Sequence, residues 1–474
     1  MASPLSNTLI VQQPYDGSTI EELAYITWLQ AGEMLNRAAK AHKDPNRRLP
    51  AWQRIEVLQR LAILLQRQRD QFAMLIACEG GKPIKDAIVE VDRAIKGIDL
   101  AAEGIANLHG QQIPMDLMAT DAERIAFTRK EPVGPVVAIS AFNHPLNLIV
   151  HQIVPTIATG CPVIIKPAET TPLTCLKFVD LVYEAGLPQD MCQACICDVA
   201  TAERLVTDAR VAFFSFIGSA KVGWYLRSKL APGTRCALEH GGAAPVIVCK
   251  DADLRNTVSS LVKGGYYHAG QVCVSVQRIF VNREIKDEFL DAYTHQVERL
   301  VTGDPTNHET DVGPLILPRE VNRVESWVNE AVAGRADVLT GGTKVNDYLF
   351  KPTVLDEPLV DAKVSNFGIF GPVTCVYGFD NIQQAVSQAN SLPVAFQSAV
   401  YTRDLDNALN LSAQLDASAV MINDHTAFRV DWMPFAGRHS SGYGVGGIAH
   451  TMNELMHEKM TVIKTSNQPM EAIS

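Results

Sequence analysis

Residues 135–166 read PVVAISAFNHPLNLIVHQIVPTIATGCPVIIK, in which two short apolar runs flank a longer helical segment. The runs Val136–Ile139 and Val163–Ile165 are rich in β-branched residues, as is typical of strands buried on both faces of a sheet. The segment Leu146–Ile157 between them has the length of a crossover helix. This part of the chain therefore predicts a β–α–β unit with two parallel strands.

The alternation of strands and helices continues on the C-terminal side of this unit. Further strands are predicted at Cys192–Cys197 and Val211–Phe216, and further helices at Leu173–Glu184, Ala202–Val206 and Ala220–Lys229. A second alternating block runs from about residue 243 to 442, with strands predicted at Pro245–Val248, Val274–Val281, Thr374–Val376 and Ala419–Ile422. The fold class is therefore α/β, with two doubly wound parallel sheets.

Two kinds of element lie outside these blocks. Apolar residues that recur at helical spacing predict a helical N-terminal third: Ile55, Leu58, Ala62 and Leu65. Ile125–Arg129 and Met460–Lys464 have the pattern of isolated strands. Because unpaired strand edges are usually covered, we expect these two to pair between subunits.

Composition excludes several classes of protein. Hydrophobic residues make up 47% and charged residues 20% of the 474, a globular balance, and the net charge of −10 argues against a general nucleic-acid or anionic-membrane surface. The apolar runs are too short to span a bilayer. Ten cysteines in so long a chain do not form a disulfide scaffold. No Lys or Arg precedes Arg37, so a basic signal-peptide region is missing and we expect a cytoplasmic protein.

Polar residues follow the strands of the first block, at the edge where parallel sheets bind ligands. Asn143, in Phe142-Asn143-His144-Pro145, can donate to a developing oxyanion or belong to an ordinary turn. Lys166 and Glu169 can hold ribose hydroxyls or lie in a solvated turn. Gly218-Ser219 lies between a strand and a helix, where backbone N–H groups bind phosphate, but it lacks the G-x-G-x-x-G spacing of the dinucleotide fingerprint.

Two further motifs contain candidate catalytic groups. Cys273, in Gly270-Gln271-Val272-Cys273, is either a nucleophile or a small buried apolar side chain. Glu239, in Leu238-Glu239-His240-Gly241-Gly242, is either a general base beside a ligand or a surface residue at a turn. Cys192-x-x-Cys195-x-Cys197 lies on a predicted buried strand without a matching His/Cys pair, so no metal site is predicted.

In their order along the chain, these motifs resemble those of the aldehyde dehydrogenase superfamily, nearly end to end. Later motifs fit as well: Ile369-Phe370-Gly371-Pro372-Val373, Pro434-Phe435-Ala436-Gly437 and Ser441-Gly442-x-Gly444. The resemblance implies an NAD-binding domain (1–113 and 133–238), a catalytic domain (239–445) and a small β-flap (114–132 and 455–474) that pairs subunits into homodimers or homotetramers.

The resemblance also implies roles for individual residues. Cys273 matches the nucleophile that forms a thiohemiacetal and then a thioester, Asn143 matches the oxyanion donor, and Glu239 matches the base that activates water. The implied cofactor-binding residues are Lys166, Glu169, Ala141, Phe142, Gly218, Ser219, Gly241 and Phe370. The implied cofactor is NAD rather than NADP, because a carboxylate at Glu169 repels an added 2′-phosphate by roughly 4 kcal/mol at about 4 Å and intermediate dielectric.

Positions that line the family's aldehyde tunnel are occupied here by His144, Asn147, His268, Arg429 and Phe435. Their surroundings are similar to the branch with lactaldehyde, phosphonoacetaldehyde and non-phosphorylating glyceraldehyde-3-phosphate dehydrogenases. We therefore expect a small polar or anionic aldehyde, with Arg429 binding its anionic group. An ion pair of Arg429 with Asp431 or Asp424 is an alternative of equal weight.

Four departures from the family pattern leave alternatives open: Gly368, Ala243, Val394–Phe396 and Cys197–Ala200. Gly368 stands where the family has the Glu that binds the nicotinamide ribose, so a weakly active or non-catalytic homologue is one alternative. A CoA-acylating semialdehyde dehydrogenase is a second, although that branch generally lacks the base that Glu239 matches. A cofactor-independent thioesterase that uses Cys273 and Glu239 is a third.

Overall fold

The computed structural model describes residues 8–121 and 123–465. The outer ends of the predicted domains, residues 1–7 and 466–474, lie outside the described residues. The helices in the described ranges are α1 (Trp28–Lys43), α2 (Ala51–Arg67), α3 (Arg69–Gly80), α4 (Ile84–Gly104), α5 (Asn147–Thr159), α6 (Leu173–Glu184), α7 (Val199–Val206), α8 (Ala220–Arg227), α9 (Leu254–Tyr266), α10 (Arg283–Glu298), α11 (Pro318–Ala333), α12 (Lys363–Asn366), α13 (Ile382–Ala389), α14 (Leu405–Gln414) and α15 (Ile448–Glu454).

The strands in the same ranges are β1 (Thr8–Gln12), β2 (Thr19–Ala24), β3 (Gln112–Ile113), β4 (Arg124–Pro132), β5 (Val136–Ile139), β6 (Val163–Lys166), β7 (Cys192–Ala194), β8 (Phe213–Ile217), β9 (Arg235–Glu239), β10 (Ala244–Val248), β11 (Val276–Asn282), β12 (Asp337–Thr340), β13 (Thr353–Asp356), β14 (Val373–Phe379), β15 (Val394–Ala395), β16 (Gln397–Tyr401), β17 (Ala419–Ile422), β18 (Arg438–His439), β19 (Gly442–Tyr443) and β20 (Met456–Lys464).

The first sheet grows from the predicted β–α–β unit. Its order is β19-β9-β8-β5-β6-β7, with parallel pairing from β9 to β7 and an antiparallel edge strand, β19. The chain runs outward from β5 to β6 and β7, then returns to the other side of β5 as β8 and β9. Such a reversal of strand order opens a crevice at the carboxyl ends of the strands, which is where ligands bind in open α/β sheets.

The second sheet has the order β12-β13-β14-β11-β10-β16-β17, and all its neighbours are parallel except β12 and β13. The predicted strand Ala419–Ile422 has the bounds of β17. Strands β13 and β16 lie in the second block but were not among its predicted strands. The fold is therefore α/β with two doubly wound, mainly parallel sheets, as predicted.

Several predicted elements differ from the structure. The strand predicted at Cys192–Cys197 ends at Ala194, and β9 had no predicted counterpart. β19 comes from the predicted catalytic domain, yet it pairs with β9 in the first sheet. The hairpin of β1 and β2 had no predicted counterpart. The domain bounds themselves stay a prediction.

The two strands predicted to be isolated pair with each other within the chain. β4 and β20 form a nine-residue antiparallel ladder from Met456↔Pro132 to Lys464↔Arg124, and β3 pairs with the other edge of β4. This three-stranded sheet is called the flap below. The expectation that these strands lack partners within the subunit is therefore wrong, but the outer edge of β20 pairs with no strand of residues 8–121 or 123–465.

Helices α2 and α4 pack on α5, which is buried along its whole length, and α3 packs on α4 and α6. Buried carboxylates from this layer cap the helices that follow β5 and β6. Leu146 and Pro172 stand at the N-cap positions of α5 and α6, and neither side chain can accept a hydrogen bond. Instead Glu90 accepts from the backbone N–H groups of Leu146 and Asn147, at 2.9 and 3.1 Å.

A buried carboxylate also caps the N-terminus of α6. Glu79 accepts from the backbone N–H groups of Leu173 and Thr174, each at 2.8 Å. Glu90 also forms a fully buried ion pair with Lys82. These contacts fix the N-terminus of α5, and with it the loop that contains Asn143. No helix in the described ranges has the length and hydropathy of a membrane span.

Candidate active site

A cleft of about 930 Å³ lies between the two sheets. The first sheet contributes the loops at its carboxyl ends, after β5, β6, β8 and β9. The second sheet contributes loops that precede its strands: Gly241–Gly242 before β10, Cys273 before β11, and Gly368–Phe370 before β14. Pro393, before the short strand β15 that pairs with β18, also lines the cleft. Fifteen of the sixteen predicted site residues line this cleft: Ala141, Phe142, Asn143, His144, Asn147, Lys166, Glu169, Gly218, Ser219, Glu239, Gly241, Cys273, Phe370, Arg429 and Phe435.

Cys273 lies in a tight loop between α9 and β11. His268, Ala269 and Gly270 have consecutive left-handed backbone conformations, with φ of 49°, 54° and 69°. Two non-glycine residues in this region are costly, and such strain persists only where the surroundings hold it. The side chain of Gln271 supplies that support, because it donates to the carbonyl of Pro314 at 3.2 Å and accepts from the N–H of Ile316 at 3.0 Å.

The Cys273 thiol is partly accessible from the cleft. Burial raises its pKa to about 12, the positive charge of Arg429 opposes this shift, and the negative charge of Glu239 adds to it. The thiol is therefore protonated near neutral pH in this arrangement. A nucleophilic role requires a proton acceptor, because the thiolate is the reactive form.

Asn143 is buried beside the loop that contains Cys273. Its Nδ2 donates to the backbone carbonyl of Gln271 at 2.9 Å. A side-chain amide has two N–H groups, so this bond fixes the orientation of Asn143 and leaves one donor available. The arrangement supplies a rigid hydrogen-bond donor close to the thiol.

Glu239 is the last residue of β9 and is held from both sides. Its backbone carbonyl accepts from the N–H of Gly218 at 3.0 Å, and its residue pair in β19 is Gly442. The carboxylate packs against Gly446, where any side chain would collide with it. Burial raises the pKa of the Glu239 carboxyl, with Arg429 acting against the shift. A carboxylate with a raised pKa is a better proton acceptor at neutral pH.

The part of the cleft at the carboxyl ends of β6 and β8 fits a dinucleotide. Lys166 and Glu169 form an ion pair at 3.6 Å and both line the cleft. Ser219 is the N-cap residue of α8, but its side chain makes no capping hydrogen bond. The Ser219 hydroxyl and the first N–H groups of α8 are therefore free to bind phosphate, which the helix dipole favours.

Two aromatic rings flank the middle of the cleft. Phe142 and Phe370 meet edge to face, with ring centroids 5.8 Å apart. Phe370 has a φ of 48°, a second strained position in the cleft wall. Ala141 and Gly241 line the same wall. A Cβ on Gly368 would lie 2.8 Å from the backbone oxygen of Gly242, so a side chain at this position requires a backbone shift.

Arg429 is a cation without a carboxylate partner. Its guanidinium lies over the ring of Phe435 at 3.6 Å, and Nη2 lies 3.5 Å from Nδ1 of His151. No Asp or Glu oxygen within the described ranges comes within ion-pair distance of it, and Nε has no hydrogen-bond partner there. The ion pair of Arg429 with Asp431 or Asp424 is therefore not formed.

Asp431 binds other groups. Arg93 donates to both its oxygens, at 2.7 and 3.2 Å, and His151 and Asn147 contact Oδ1 at 2.8 and 3.1 Å. Burial opposes ionisation of Asp431, but His151 and Arg93 hold the pKa of this carboxyl below its usual range. Oδ1 of Asn147 is buried and has no partner among the described residues, so it can accept a hydrogen bond from a ligand.

The two predicted substrate-binding histidines, His144 and His268, differ in their position relative to the cleft. His144 lines the cleft, and burial holds its pKa well below the usual value, with the charge of Lys82 acting in the same direction. His268 lies behind the wall, with its ring 6.3 Å from that of His144. The structure therefore does not bring His268 into the cleft, in contrast to the prediction. His268 is 1% exposed and is not among the residues that line the cleft.

Sequence reasoning missed several cleft residues, among them Arg93, Tyr267, Gln271 and Glu320. Arg93 comes from α4, more than forty residues before the first predicted motif. The sequence around a charged residue on a helix does not indicate which cleft its side chain enters. Gln271 lies inside the Cys273 motif, so its position was available but its structural role was not. Among the described residues, no group of His, Cys, Asp or Glu is arranged to hold a metal ion.

The chain is similar to known proteins over nearly its whole length. The chain matches the model of the aldehyde dehydrogenase family over residues 2–461. It is 37% identical to 3-sulfolactaldehyde dehydrogenase of Priestia megaterium, over 90% of each chain, and 35% identical to lactaldehyde dehydrogenase of Methanocaldococcus jannaschii, over 96% of each chain.

Solved structures agree as well. Glyceraldehyde-3-phosphate dehydrogenase GapN from Methanocaldococcus jannaschii, complexed with NADP, superposes with a TM-score of 0.92 at 34% identity and covers 98% of this chain and 100% of its own. Betaine aldehyde dehydrogenase from Staphylococcus aureus, in complex with NAD⁺, gives a TM-score of 0.93 at 28% identity over 100% of this chain and 97% of its own.

The chain therefore belongs to the aldehyde dehydrogenase family. It is an oxidoreductase that acts on aldehydes with a nicotinamide dinucleotide as cofactor.

Proposed function

We propose that this enzyme oxidises a small polar or anionic aldehyde to the carboxylate, through a covalent adduct on Cys273. The observation that carries the proposal is the meeting of three groups in one cleft: the Cys273 thiol, the Glu239 carboxylate and the Asn143 amide. A nucleophile, a base and an oxyanion donor are the groups that acyl chemistry on a thiol requires.

In the first half of the reaction, the Cys273 sulfur attacks the aldehyde carbon after its proton passes to a base. The carbonyl π electrons move to oxygen, and the free N–H of Asn143 stabilises the resulting oxyanion. The product is a thiohemiacetal. Bound nicotinamide supplies the hydride acceptor that oxidation to the thioester requires.

In the second half, Glu239 accepts a proton from water while the water oxygen attacks the thioester carbonyl. The carbon–sulfur bond then breaks, and Cys273 leaves as the thiolate while the acid is released. The raised pKa of Glu239 supports this role. Because Glu239 lies in the cleft, a base is available to activate water, which favours hydrolysis. In the CoA-acylating alternative, the thiol of CoA attacks the thioester instead of water.

The unpaired Arg429 supports an anionic substrate. A buried guanidinium without a carboxylate partner is costly, and an anionic ligand removes that cost. Arg93 lies in the same wall, but Asp431 balances its charge, so the uncompensated positive charge is that of Arg429. The relatives' names, lactaldehyde and 3-sulfolactaldehyde dehydrogenase, fit a three-carbon aldehyde that is polar or anionic.

We propose NAD as the preferred dinucleotide. Glu169 lines the cleft beside Lys166, and a carboxylate at the adenosine ribose accepts its hydroxyls but repels an added 2′-phosphate. The cytoplasmic location stays a prediction. We also propose that the flap joins subunits into homodimers or homotetramers, because it carries exposed apolar side chains.

The test is a spectrophotometric assay of NADH or NADPH formation with neutral and anionic aldehydes, without CoA. We expect turnover with NAD and release of the carboxylate, and none with Cys273→Ala, which should still bind the dinucleotide because the cofactor end of the cleft is intact. Aldehyde-dependent NADH production by Cys273→Ala would refute the covalent mechanism. A requirement for CoA would identify the acylating alternative.

A further inference from the structure

Glu320 is an acidic side chain in the cleft that the chemistry above leaves without a role. Within the described ranges, the cleft is lined by three acidic residues, Glu169, Glu239 and Glu320. Glu169 lies at one end with Lys166, and Glu239 lies beside Cys273. Glu320 projects from the first turn of α11, on the side of the cleft formed by the second sheet.

The position of Glu320 is fixed by Arg323. This guanidinium donates to Oε2 of Glu320 at 2.8 Å and to the backbone oxygen of Ile369 at 2.7 Å, and it lies over the ring of Trp327 at 4.7 Å. One rigid group therefore ties the carboxylate of Glu320 to the segment that carries Gly368 and Phe370. Glu320 is therefore held beside the segment of Gly368 and Phe370.

One oxygen of Glu320 is open to a ligand. Among the described residues, the polar partner of Oε1 is Nε of Arg319 at 3.4 Å; the Arg319 side chain is 78% exposed, so this contact is weak. On the neighbouring segment, Gly368 offers no side chain, and a Cβ there would lie 2.8 Å from the backbone oxygen of Gly242. The carboxylate available to a ligand at this wall is that of Glu320.

We propose that Glu320 binds the hydroxyls of the ribose next to the nicotinamide ring. The proposal rests on the dinucleotide occupying this cleft. Its two riboses lie far apart, and Lys166 with Glu169 serves the adenosine end. The nicotinamide must lie near Cys273, because hydride transfer requires reacting atoms about 3–3.5 Å apart. Its ribose then lies along the wall of Phe370 and Glu320, where a carboxylate accepts from the two hydroxyls.

Glu320 is thus a cofactor-positioning residue, and binding of cofactor fragments tests it. ADP contains the adenosine ribose and the diphosphate, whereas ADP-ribose adds the second ribose without nicotinamide. Calorimetry gives the dissociation constants of both for the wild type, Glu320→Gln and Glu325→Gln. Glu325 is the matched control, because it lies on the same helix with a similar exposure, 31% against 29%, and pairs with Lys344.

We expect the wild type to bind ADP-ribose more tightly than ADP, and Glu320→Gln to lose about tenfold or more of that difference. Its affinity for ADP should be unchanged, since the adenosine end is distant, and Glu325→Gln should retain both affinities. A disturbance of the wall through Arg323 would instead alter stability or ADP binding as well.

Two results would overturn the assignment: Glu320→Gln keeps the full preference for ADP-ribose, or Glu325→Gln loses it equally. Equal binding of ADP and ADP-ribose by the wild type would also overturn it while leaving the adenosine site intact. If the wild type binds neither fragment, the proposed cofactor site itself is wrong, so the two failures are distinguishable.

Discussion

At the scale of single residues, Cys273, Glu239 and Arg429 form one electrostatic unit. Burial raises the pKa of both the thiol and the carboxyl, and the positive charge of Arg429 lowers both. Burial in turn lowers the pKa of Arg429, with Glu239 opposing. The guanidinium that we propose to bind an anionic substrate therefore also favours the ionised forms of Cys273 and Glu239.

Glu239→Gln removes the proposed base but leaves the proposed nucleophile, Cys273, and the proposed oxyanion donor, Asn143. We predict a burst of NADH, stoichiometric with active sites, followed by turnover reduced by about two to four orders of magnitude, the usual contribution of a general base. Rapid-mixing kinetics measure the burst, and mass spectrometry detects the thioester on Cys273. Undiminished linear turnover would mean that another group activates the water.

Arg429→Leu removes the unpaired cation. KM should rise about 10-fold to 100-fold for anionic aldehydes and much less for neutral ones. This range corresponds to the loss of a charge-assisted hydrogen bond worth about 1.5–3 kcal/mol. Because Arg429 lowers the pKa values of Cys273 and Glu239, both of which act deprotonated, the rise of kcat/KM with pH should also shift to higher pH. Equal effects on both substrate classes with an unmoved pH profile would assign Arg429 a structural role.

At the scale of elements, helices that carry site residues are capped by carboxylates distant in sequence. α5 follows the Asn143 loop and begins with Asn147, yet its N-cap residue is Leu146. Glu90, from α4, binds the first N–H groups of α5 and pairs with Lys82 in the core. The one buried carboxylate of Glu90 therefore caps α5, fixes its position and neutralises the charge of Lys82.

Glu90→Gln leaves Lys82 without its counter-charge. Breaking one side of a buried pair costs about 3–5 kcal/mol, so we predict a clear fall in the free energy of unfolding, measured by chemical denaturation. The control is Glu103→Gln, whose side chain is 68% exposed and 4.0 Å from Lys96. It should change stability by less than about 0.5 kcal/mol. Equal effects of the two substitutions would show that the buried pair contributes little.

At the scale of the whole molecule, two open sheets enclose one cleft and a third sheet projects from them. The flap carries apolar side chains that are 36–52% exposed, including Phe127, Met460 and Val462. The outer edge of β20, which has no strand partner in the described part of the chain, borders this apolar surface. Proteins normally cover such an edge, and a second copy of the chain is the cover we propose.

Met460→Lys together with Val462→Lys places two charges on that edge strand. We predict that the protein then shifts to a monomer, because burying unpaired charges opposes association. Sedimentation velocity measures the change against the wild type. The control is Leu405→Lys, at a residue on α14 that is also exposed. A monomeric wild type, or an oligomer that survives both charges, would contradict the role of the flap.

Local sequence determined the elements that depend on short-range pattern. The β-branched runs gave β5 and β17 with the predicted bounds, and the 3.6-residue periodicity gave α6. The motif order led to the fifteen predicted residues that line the cleft, since the ends of parallel strands converge at one edge of a sheet. What failed locally were β9 and β7, where short strands among turn residues carry a weak signal.

Only the tertiary structure decided where distant side chains meet. No sequence pattern indicates that Asp431 binds Arg93 and leaves Arg429 unpaired, that β19 joins the first sheet, or that Glu90 caps α5. His268 is buried outside the cleft, although its sequence motif predicted that it lines the cleft. Residue type and spacing specify local conformation and chemical capability, whereas pairing among charged groups depends on distances that only the packed chain sets.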